Sequence, residues 1–109
     1  MAQRINNPFP LFLDEDGDPM FGGYVYIGVA GQDPETHPLA TFWDEALSVI
    51  AAQPFRTLGG LIYRDDSPAF VFADGDDYSI RVRDSDGEVV FYLPSIKVAG
   101  AQYQPLNAN

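Results

Sequence analysis

The residues that could do chemistry in this chain are one histidine and many carboxylates. His37 is the single histidine among 109 residues, and it precedes Pro38 in the stretch GGYVYIGVAGQDPETHP, residues 22–38. Without a second histidine or any cysteine, it could ligate a metal ion only together with carboxylates, so we interpret it as a surface-loop histidine. No nucleophile–base set can be assembled around it. We therefore expect no catalytic residues, no metal site and no cofactor.

Three acidic segments raise the question of calcium: DEDGD (14–18), DGDD (74–77) and DSDG (84–87). None belongs to a twelve-residue loop that ends in a bidentate glutamate. Asp-Gly is common in tight hairpin turns, because both residues tolerate a positive φ. We interpret all three as turns. Nor do abundant carboxylates alone indicate glycoside hydrolysis, which needs two of them at a fixed spacing across a cleft.

The charge of the chain excludes some classes of partner. Six basic residues against 16 acidic ones give a net charge of −10, which repels the phosphates of nucleic acids and anionic membrane surfaces. There is no cysteine, so neither a disulfide nor a thiolate metal site is possible. No segment has the pattern of a signal peptide or of a membrane span. We expect a soluble protein without nucleic-acid or membrane partners.

Short aromatic and β-branched runs, each bounded by Gly, Asp or Pro, predict an all-β fold. The predicted strands lie at residues 23–29, 60–64, 69–73, 78–84 and 88–93, and a shorter apolar run, PLFL, lies at 10–13. The last two strands are expected to form a hairpin through the turn at 84–87.

Alternation within two of these strands predicts which side chains are buried. Residues 23–29 place two tyrosines on one face, and Val25 and Ile27 on the other. In residues 78–84, Tyr78, Ile80 and Val82 alternate with one serine and two arginines. This pattern predicts an antiparallel sheet with one buried and one wet face.

The stretch WDEALSVIAAQ, residues 43–53, permits two interpretations. Its helix formers and acidic N-terminal end slightly favour a helix. Alternatively, SVIAAQP forms a strand that ends at Pro54, and DEAL forms the turn before it. The second interpretation agrees better with the β pattern of the other segments, and the residues themselves leave both open.

The length allows one domain, which we expect over residues 1–99, followed by a polar linker at 100–109. A domain of this size buries a smaller fraction of its surface than a large one. Eight Phe, six Tyr and one Trp are many large side chains for one small core. Self-association through exposed apolar and aromatic side chains would bury the surplus.

Four segments, in order, resemble the N-terminal head-binding domain of tailspike proteins from short-tailed Salmonella phages. They are NPFPLF (7–12), GGYVYIGVAGQDPETHP (22–38), QPFRTLGGLIYRDDSPA (53–69) and YSIRVRDSDGEVVFYL (78–93). No single segment is specific for this family, but four segments in this order and at matching spacing are specific for it. Residues 39–50 depart most from the pattern.

The resemblance implies a small antiparallel domain of two packed sheets that assembles into a dome-like trimeric cap. Such a cap anchors the tailspike to the tail or neck of the virion, whereas a separate downstream β-helix binds and often cleaves host polysaccharide. The expected partners are therefore two further copies and a virion protein, after folding in the bacterial cytoplasm. On this interpretation residues 22–38 form the corner of a scaffold. Gly28 and Gly31 let the backbone turn there, and Asp33-Pro34 fixes the change from strand to turn.

One alternative from another class is a β-sandwich module that binds a host glycan itself. Trp43 beside Phe42, together with the tyrosines, could supply a stacking platform for sugars, although core packing is the more common use of such residues. A weaker alternative is a fragment of a hydrolase.

Overall fold

The computed structural model describes residues 2–5, 12–14, 16–75 and 77–97, and every regular element in them is a strand. The predicted all-β class is therefore confirmed. In chain order the strands are β1 (Ala2–Ile5), β2 (Tyr24–Gly28), β3 (Phe55–Leu58), β4 (Leu61–Arg64), β5 (Ser67–Pro68), β6 (Val71–Asp74), β7 (Asp77–Arg83) and β8 (Val89–Lys97).

Six of the strands form one antiparallel sheet in the order β5-β4-β3-β2-β7-β8. β1 and β6 form a separate antiparallel pair, in which Ile5 is opposite Val71. Phe42 joins this pair to the rest of the chain: its backbone N–H and C=O exchange hydrogen bonds with Phe72 on β6, both at 2.8 Å.

The centre of the sheet is the pairing of β2 with β7. Val25 lies opposite Val82 and Ile27 opposite Ile80, and all four side chains are buried. The core continues into other segments through the following buried side chains: Phe12, Met20, Ala51, Phe55, Val71 and Tyr78. The predicted alternation of β2 is thus confirmed.

The five predicted strands correspond to β2, β4, β6, β7 and β8, and the β7–β8 hairpin turns where expected: Gly87 donates to the carbonyl of Asp84 at 2.9 Å. The short strands β1, β3 and β5 were not predicted. Phe12 and Leu13 of the run 10–13 are not in a strand, and residues 10 and 11 lie outside the described residues, as does the proposed linker.

The burial of one face of β7 differs from the prediction. Ser79 was expected on the wet face, but it is fully buried, and its hydroxyl has no hydrogen-bond partner in the described part of the chain. Arg81 and Arg83 on that face are half-buried. The loop that follows β2 approaches this face: its Pro34 packs against Gly28, which pairs with Ser79, and its carboxylates bind both arginines.

The slight preference for a helix at 43–53 is wrong. Asp44 begins a turn instead: its carbonyl accepts from the N–H of Leu47 at 3.1 Å, and its carboxylate accepts from the N–H groups of Ser48 and Val49. A side chain that captures nearby backbone N–H groups competes with a helix. Leu47 has a φ of 58°, which a continuing helix does not permit. The predicted turn at DEAL is correct, and the strand proposed after it is reduced to a single bridge between Ile50 and Phe42.

The expectation that Gly28 lets the backbone turn is also wrong. Gly31 has a φ of 80° and does turn the backbone, whereas Gly28 is the last residue of β2. A Cβ added to Gly28 would collide with the backbone of Pro34 and lie 2.7 Å from its Cβ and 2.8 Å from Ser79 Oγ. Gly28 is thus required for close packing.

These contacts predict that Gly28→Ala destabilises the protein by about 3 kcal/mol, because the backbone of Pro34 leaves no room for a methyl group. Gly31→Ala is the matched control: its φ is unfavourable for alanine, but nothing lies within 4 Å of the new Cβ. It should cost only about 1 kcal/mol. Urea unfolding of the two variants measures both values, and an equal cost would contradict the packing role of Gly28.

Candidate functional site

The loop after β2 doubles back along the strand that precedes it. The N–H of Val29 donates to the carbonyl of His37 at 3.0 Å, and the N–H of Leu39 donates to the carbonyl of Ile27 at 3.0 Å. β3 pairs with β2 only at Tyr24 and Val25. The returning loop therefore covers the edge of β2 that β3 leaves open.

Two arginines of β7 bind the carboxylates of this loop. Arg81 Nη1 lies 2.9 Å from Asp33 Oδ1 and 3.1 Å from Glu35 Oε2, and Arg83 Nε lies 2.8 Å from the same oxygen of Glu35. Burial by itself would lower the pKa of Arg81, but its hydrogen bonds to Glu35 and Asp33 raise it. The network fixes the loop to the sheet. Because all four side chains are paired within the network, none of them is free in the way that a catalytic group would need to be.

The carboxylate of Asp33 serves the loop in two ways. Its Oδ1 accepts from the N–H of Glu35 at 2.8 Å and from Arg81. The hydrogen bond from Glu35 and the charge of Arg81 together hold the pKa of Asp33 below its ordinary value of 3.8. The expectation that Asp33-Pro34 fixes a turn agrees with this geometry, because the backbone carbonyl of Asp33 also accepts from the N–H of His37 at 2.8 Å.

Gln53 acts as a side-chain substitute for a strand partner. Its Oε1 accepts from the N–H of Ile27 at 2.7 Å, and its Nε2 donates to the carbonyls of Ile27 and Leu39, both at 2.9 Å. One amide side chain thus joins β2, the returning loop and the segment before β3.

A groove of about 370 Å³ lies between the returning loop and the segment 50–54. We call this surface the groove face. Its lining is mostly apolar, and consists of Tyr26, Pro34, Glu35, Pro38, Leu39, Ala40, Thr41, Phe42, Ile50, Ala51, Gln53 and Pro54. Among the described residues of that lining, Glu35 is the single charged one, and both arginines of the network bind it. The groove offers apolar contact without a free charge.

His37 lies on the surface of the returning loop, as predicted. It is exposed, and its Nδ1 lies 3.0 Å from the hydroxyl of Thr36. Among residues 2–5, 12–14, 16–75 and 77–97, no group of three His, Cys, Asp or Glu side chains is placed to hold a metal ion.

The aromatic side chains named as a sugar platform are occupied by other contacts. Trp43 packs edge-on against Phe55, with ring centroids 5.6 Å apart, and the guanidinium of Arg64 lies 5.2 Å from the Trp43 ring. Tyr24 is covered by Arg56 at 4.1 Å. Tyr78 is fully buried. Trp43, Tyr24 and Tyr78 are thus engaged in packing or cation–π contacts, whereas Phe42 lines the groove described above.

Two of the acidic segments form turns with the same hydrogen bonds. Asp14 Oδ1 accepts from the N–H groups of Asp16 and Asp18, both at 3.0 Å. Asp84 Oδ1 accepts from the N–H groups of the corresponding residues 86 and 88 at 2.9 and 3.0 Å. The interpretation of these segments as turns is confirmed. Their carboxylates stabilise backbone that would otherwise need water.

Several large apolar side chains remain exposed on the described surface. They are Leu13, Phe21, Val29, Val49, Ile50, Leu58, Leu61, Phe70, Val89 and Tyr92. Ile50, at the groove face, is 75% exposed, and Phe21 is 62% exposed. Sequence reasoning predicted surplus apolar surface, but it identified neither of these residues. Exposed apolar side chains that lie together are typical of interaction sites.

Neither a protein-family model nor a curated protein sequence matches this chain. The described residues also contain no helix of the length and hydropathy that crossing a membrane requires.

The Asp33 network makes stability depend on pH. Because folding depresses the pKa of Asp33, its contribution is present above the unfolded value of 3.8 and is lost as pH falls through the lower folded value. Asp33→Asn should therefore lower stability at pH 7 and weaken the loss of stability between pH 5 and pH 2. Urea unfolding across this range measures both effects. Asp66→Asn removes one exposed carboxylate elsewhere and should keep the pH dependence of the wild type; the same flattening in both variants would contradict the role of Asp33.

Replacing Gln53 with alanine should destabilise the protein by about 2 kcal/mol, because part-buried backbone groups of Ile27 and Leu39 lose their partners. Gln32, on the exposed part of the returning loop, is the matched control, and Gln32→Ala should change stability by less than about 0.5 kcal/mol. Thermal or urea unfolding compares the two. Equal effects would show that Gln53 is an ordinary surface residue.

Proposed function

We propose that this chain is the virion-anchoring, head-binding module of a phage tailspike. It is non-catalytic by itself and acts through protein–protein contacts, as a homotrimer on the tail or neck of the particle. Residues 1–99 form the anchor, and 100–109 lead to a downstream glycan-binding part. The β1–β6 pair and the six-stranded sheet are the two layers of each subunit, and three subunits make a dome-like cap.

The observation that carries the proposal is the groove face. Ile50 is 75% exposed at its edge, and Val49 beside it is 42% exposed. Burying such side chains against another copy gains about 25 cal/mol for each Å² of apolar surface removed from water. The groove lining has no free charge to desolvate, because Glu35 is already bound by Arg81 and Arg83. We assign this surface to contact with another copy of the chain.

Charge opposes assembly only weakly. Each copy carries −10, so that three copies repel one another. Much of the acid lies in exposed turns, and at physiological salt such charges are screened beyond about 8 Å. The contact surface proposed for the trimer is the groove face, where the carboxylate of Glu35 is paired with Arg81 and Arg83. Raising the salt concentration should therefore tighten the trimer or leave it unchanged.

The alternative function, from another functional class, is that of a glycan-binding module. Its support was the aromatic content, but Trp43 is engaged by Arg64 and Phe55, and Tyr24 by Arg56. Such a module can act as a monomer. Binding of the chain to host polysaccharide on a glycan array, together with a monomeric mass, would favour it over the anchor.

Sedimentation equilibrium at micromolar concentration tests the assembly. We expect a species of three times the 12.0 kDa chain mass, at low and high salt. Ile50→Ser should weaken the trimer at least about ten-fold in concentration, since each 1.4 kcal/mol of lost apolar burial changes an equilibrium ten-fold. Phe21→Ser is the matched control, because it removes another large exposed side chain, one that is not among the residues lining the groove. A wild-type mass of 12 kDa at both salt concentrations would contradict the trimer.

Attachment itself requires a second assay. Particles of the encoding phage, assembled without their tailspike, should bind the purified chain and carry it with them during centrifugation through a density gradient. Particles that already carry tailspikes should not, because the anchoring positions are taken. A chain that binds both kinds of particle equally, or neither, would contradict the anchoring role.

A further inference from the structure

A second exposed apolar surface lies at the β3–β4 turn, away from the groove residues. Leu58 and Leu61 are paired across this turn, so their side chains share one face, and both are exposed. Phe21 lies beside them: its Cζ is 3.9 Å from the position that a Cβ on Gly59 would take. We call these three side chains, Phe21, Leu58 and Leu61, the Phe21 patch.

Both aspartate-capped turns border this patch. Phe21 and Met20 line a depression of about 210 Å³ with residues of the two turns, namely Asp14, Asp16, Asp84, Ser85 and Asp86. The carboxylates of Asp14 and Asp84 are bound within their own turns. Asp16 and Asp86 contribute backbone N–H groups to those turns, and both residues are exposed. The Phe21 patch therefore has an acidic border.

Two arginines approach this border, and both are engaged. Arg56 donates to the carbonyls of Gly22 and Gly23 and covers Tyr24. Arg83 donates to the carbonyl of Gly87 and is paired with Glu35. Four aspartates line the depression without a lysine or arginine among the lining residues. The four aspartates outnumber the two nearby guanidinium groups, so the border carries net negative charge.

We propose that the Phe21 patch docks a basic, apolar segment of the partner protein: an apolar side chain contacts Phe21, Leu58 and Leu61, and flanking Lys or Arg side chains face the acidic turns. Charge complementarity selects this occupant. A second copy of the chain carries a net charge of −10 and would therefore meet the acidic border with charge mostly of the same sign, which is unfavourable, whereas the groove face carries no such border. The proposal rests on the proposed anchoring function, for which it names the chemistry of the virion partner.

A labelled synthetic peptide of leucines and lysines is the probe, and fluorescence anisotropy is the measurement. We expect the peptide to bind, and its affinity to fall as salt is raised, because the border charges are exposed. A peptide in which serine replaces each leucine has the same charge and should bind at least about ten-fold more weakly, since it lacks the apolar contact. Equal binding of the two peptides would overturn the proposal, because it would mean attraction to the net charge alone.

Paired variants localise the site. The Phe21→Ser variant should bind the leucine–lysine peptide about ten-fold more weakly than the wild type does. The Ile50→Ser variant should bind it with the wild-type affinity. The double variant Asp16→Asn with Asp86→Asn should weaken binding roughly five-fold, since exposed ion pairs contribute up to about 1 kcal/mol each. The double variant Asp65→Asn with Asp66→Asn makes the same change in net charge in the β4–β5 turn and should leave binding nearly unchanged. Equal effects within either pair would overturn the proposal.

Sedimentation of the same variants separates this proposal from the function on which it rests. If the wild type is a trimer and Phe21→Ser remains one while it loses the peptide, both proposals are supported. If the trimer forms but Phe21→Ser binds the peptide like the wild type, only the docking proposal fails. If the wild type is a monomer in solution, the anchoring function fails, whatever the peptide does.

Discussion

The pairing of β2 with β7 is the interaction on which the other features depend. Val25, Ile27, Ile80 and Val82 form the buried centre of the sheet. Because β3 pairs with only the first two residues of β2, the remaining edge needs other partners, and the returning loop and Gln53 supply them. The loop then brings its carboxylates over the arginines of β7. The groove face is a product of this arrangement, since the returning loop forms one of its sides.

Acidic residues have two separate roles in this chain. Within turns, a carboxylate that accepts backbone N–H groups replaces water, as Asp14, Asp44 and Asp84 do. On the surface, four aspartates line the depression where two such turns meet beside Phe21, and two of them, Asp16 and Asp86, are exposed and do not cap a turn. The groove face, by contrast, has its one carboxylate neutralised by arginines. The two exposed apolar surfaces thus differ in charge, and this difference is the basis for assigning them to different partners.

Local patterns predicted the features that are encoded locally. The alternation of β7 and the Asp-Gly turn after it were sufficient for the β7–β8 hairpin. β3 was missed because an arginine interrupts the apolar run in FRTL, although the glycine pair at 59–60, both with positive φ, is a signal of the tight turn that follows it. The helix preference at 43–53 failed because one carboxylate, that of Asp44, outweighed propensity. The contact of Arg81 with Glu35 spans 46 residues, and no local pattern reveals such a pair.

Hydroxyl-radical footprinting as a function of chain concentration tests the central claim most directly, because it follows both apolar surfaces in one sample. The account predicts that Ile50 loses reactivity as the concentration rises into the micromolar range, while Phe21 stays reactive throughout. That result would mean that the groove face is covered by other copies and the Phe21 patch remains open for a different partner. Unchanged reactivity of Ile50 at every concentration, or equal protection of Phe21, would contradict the account.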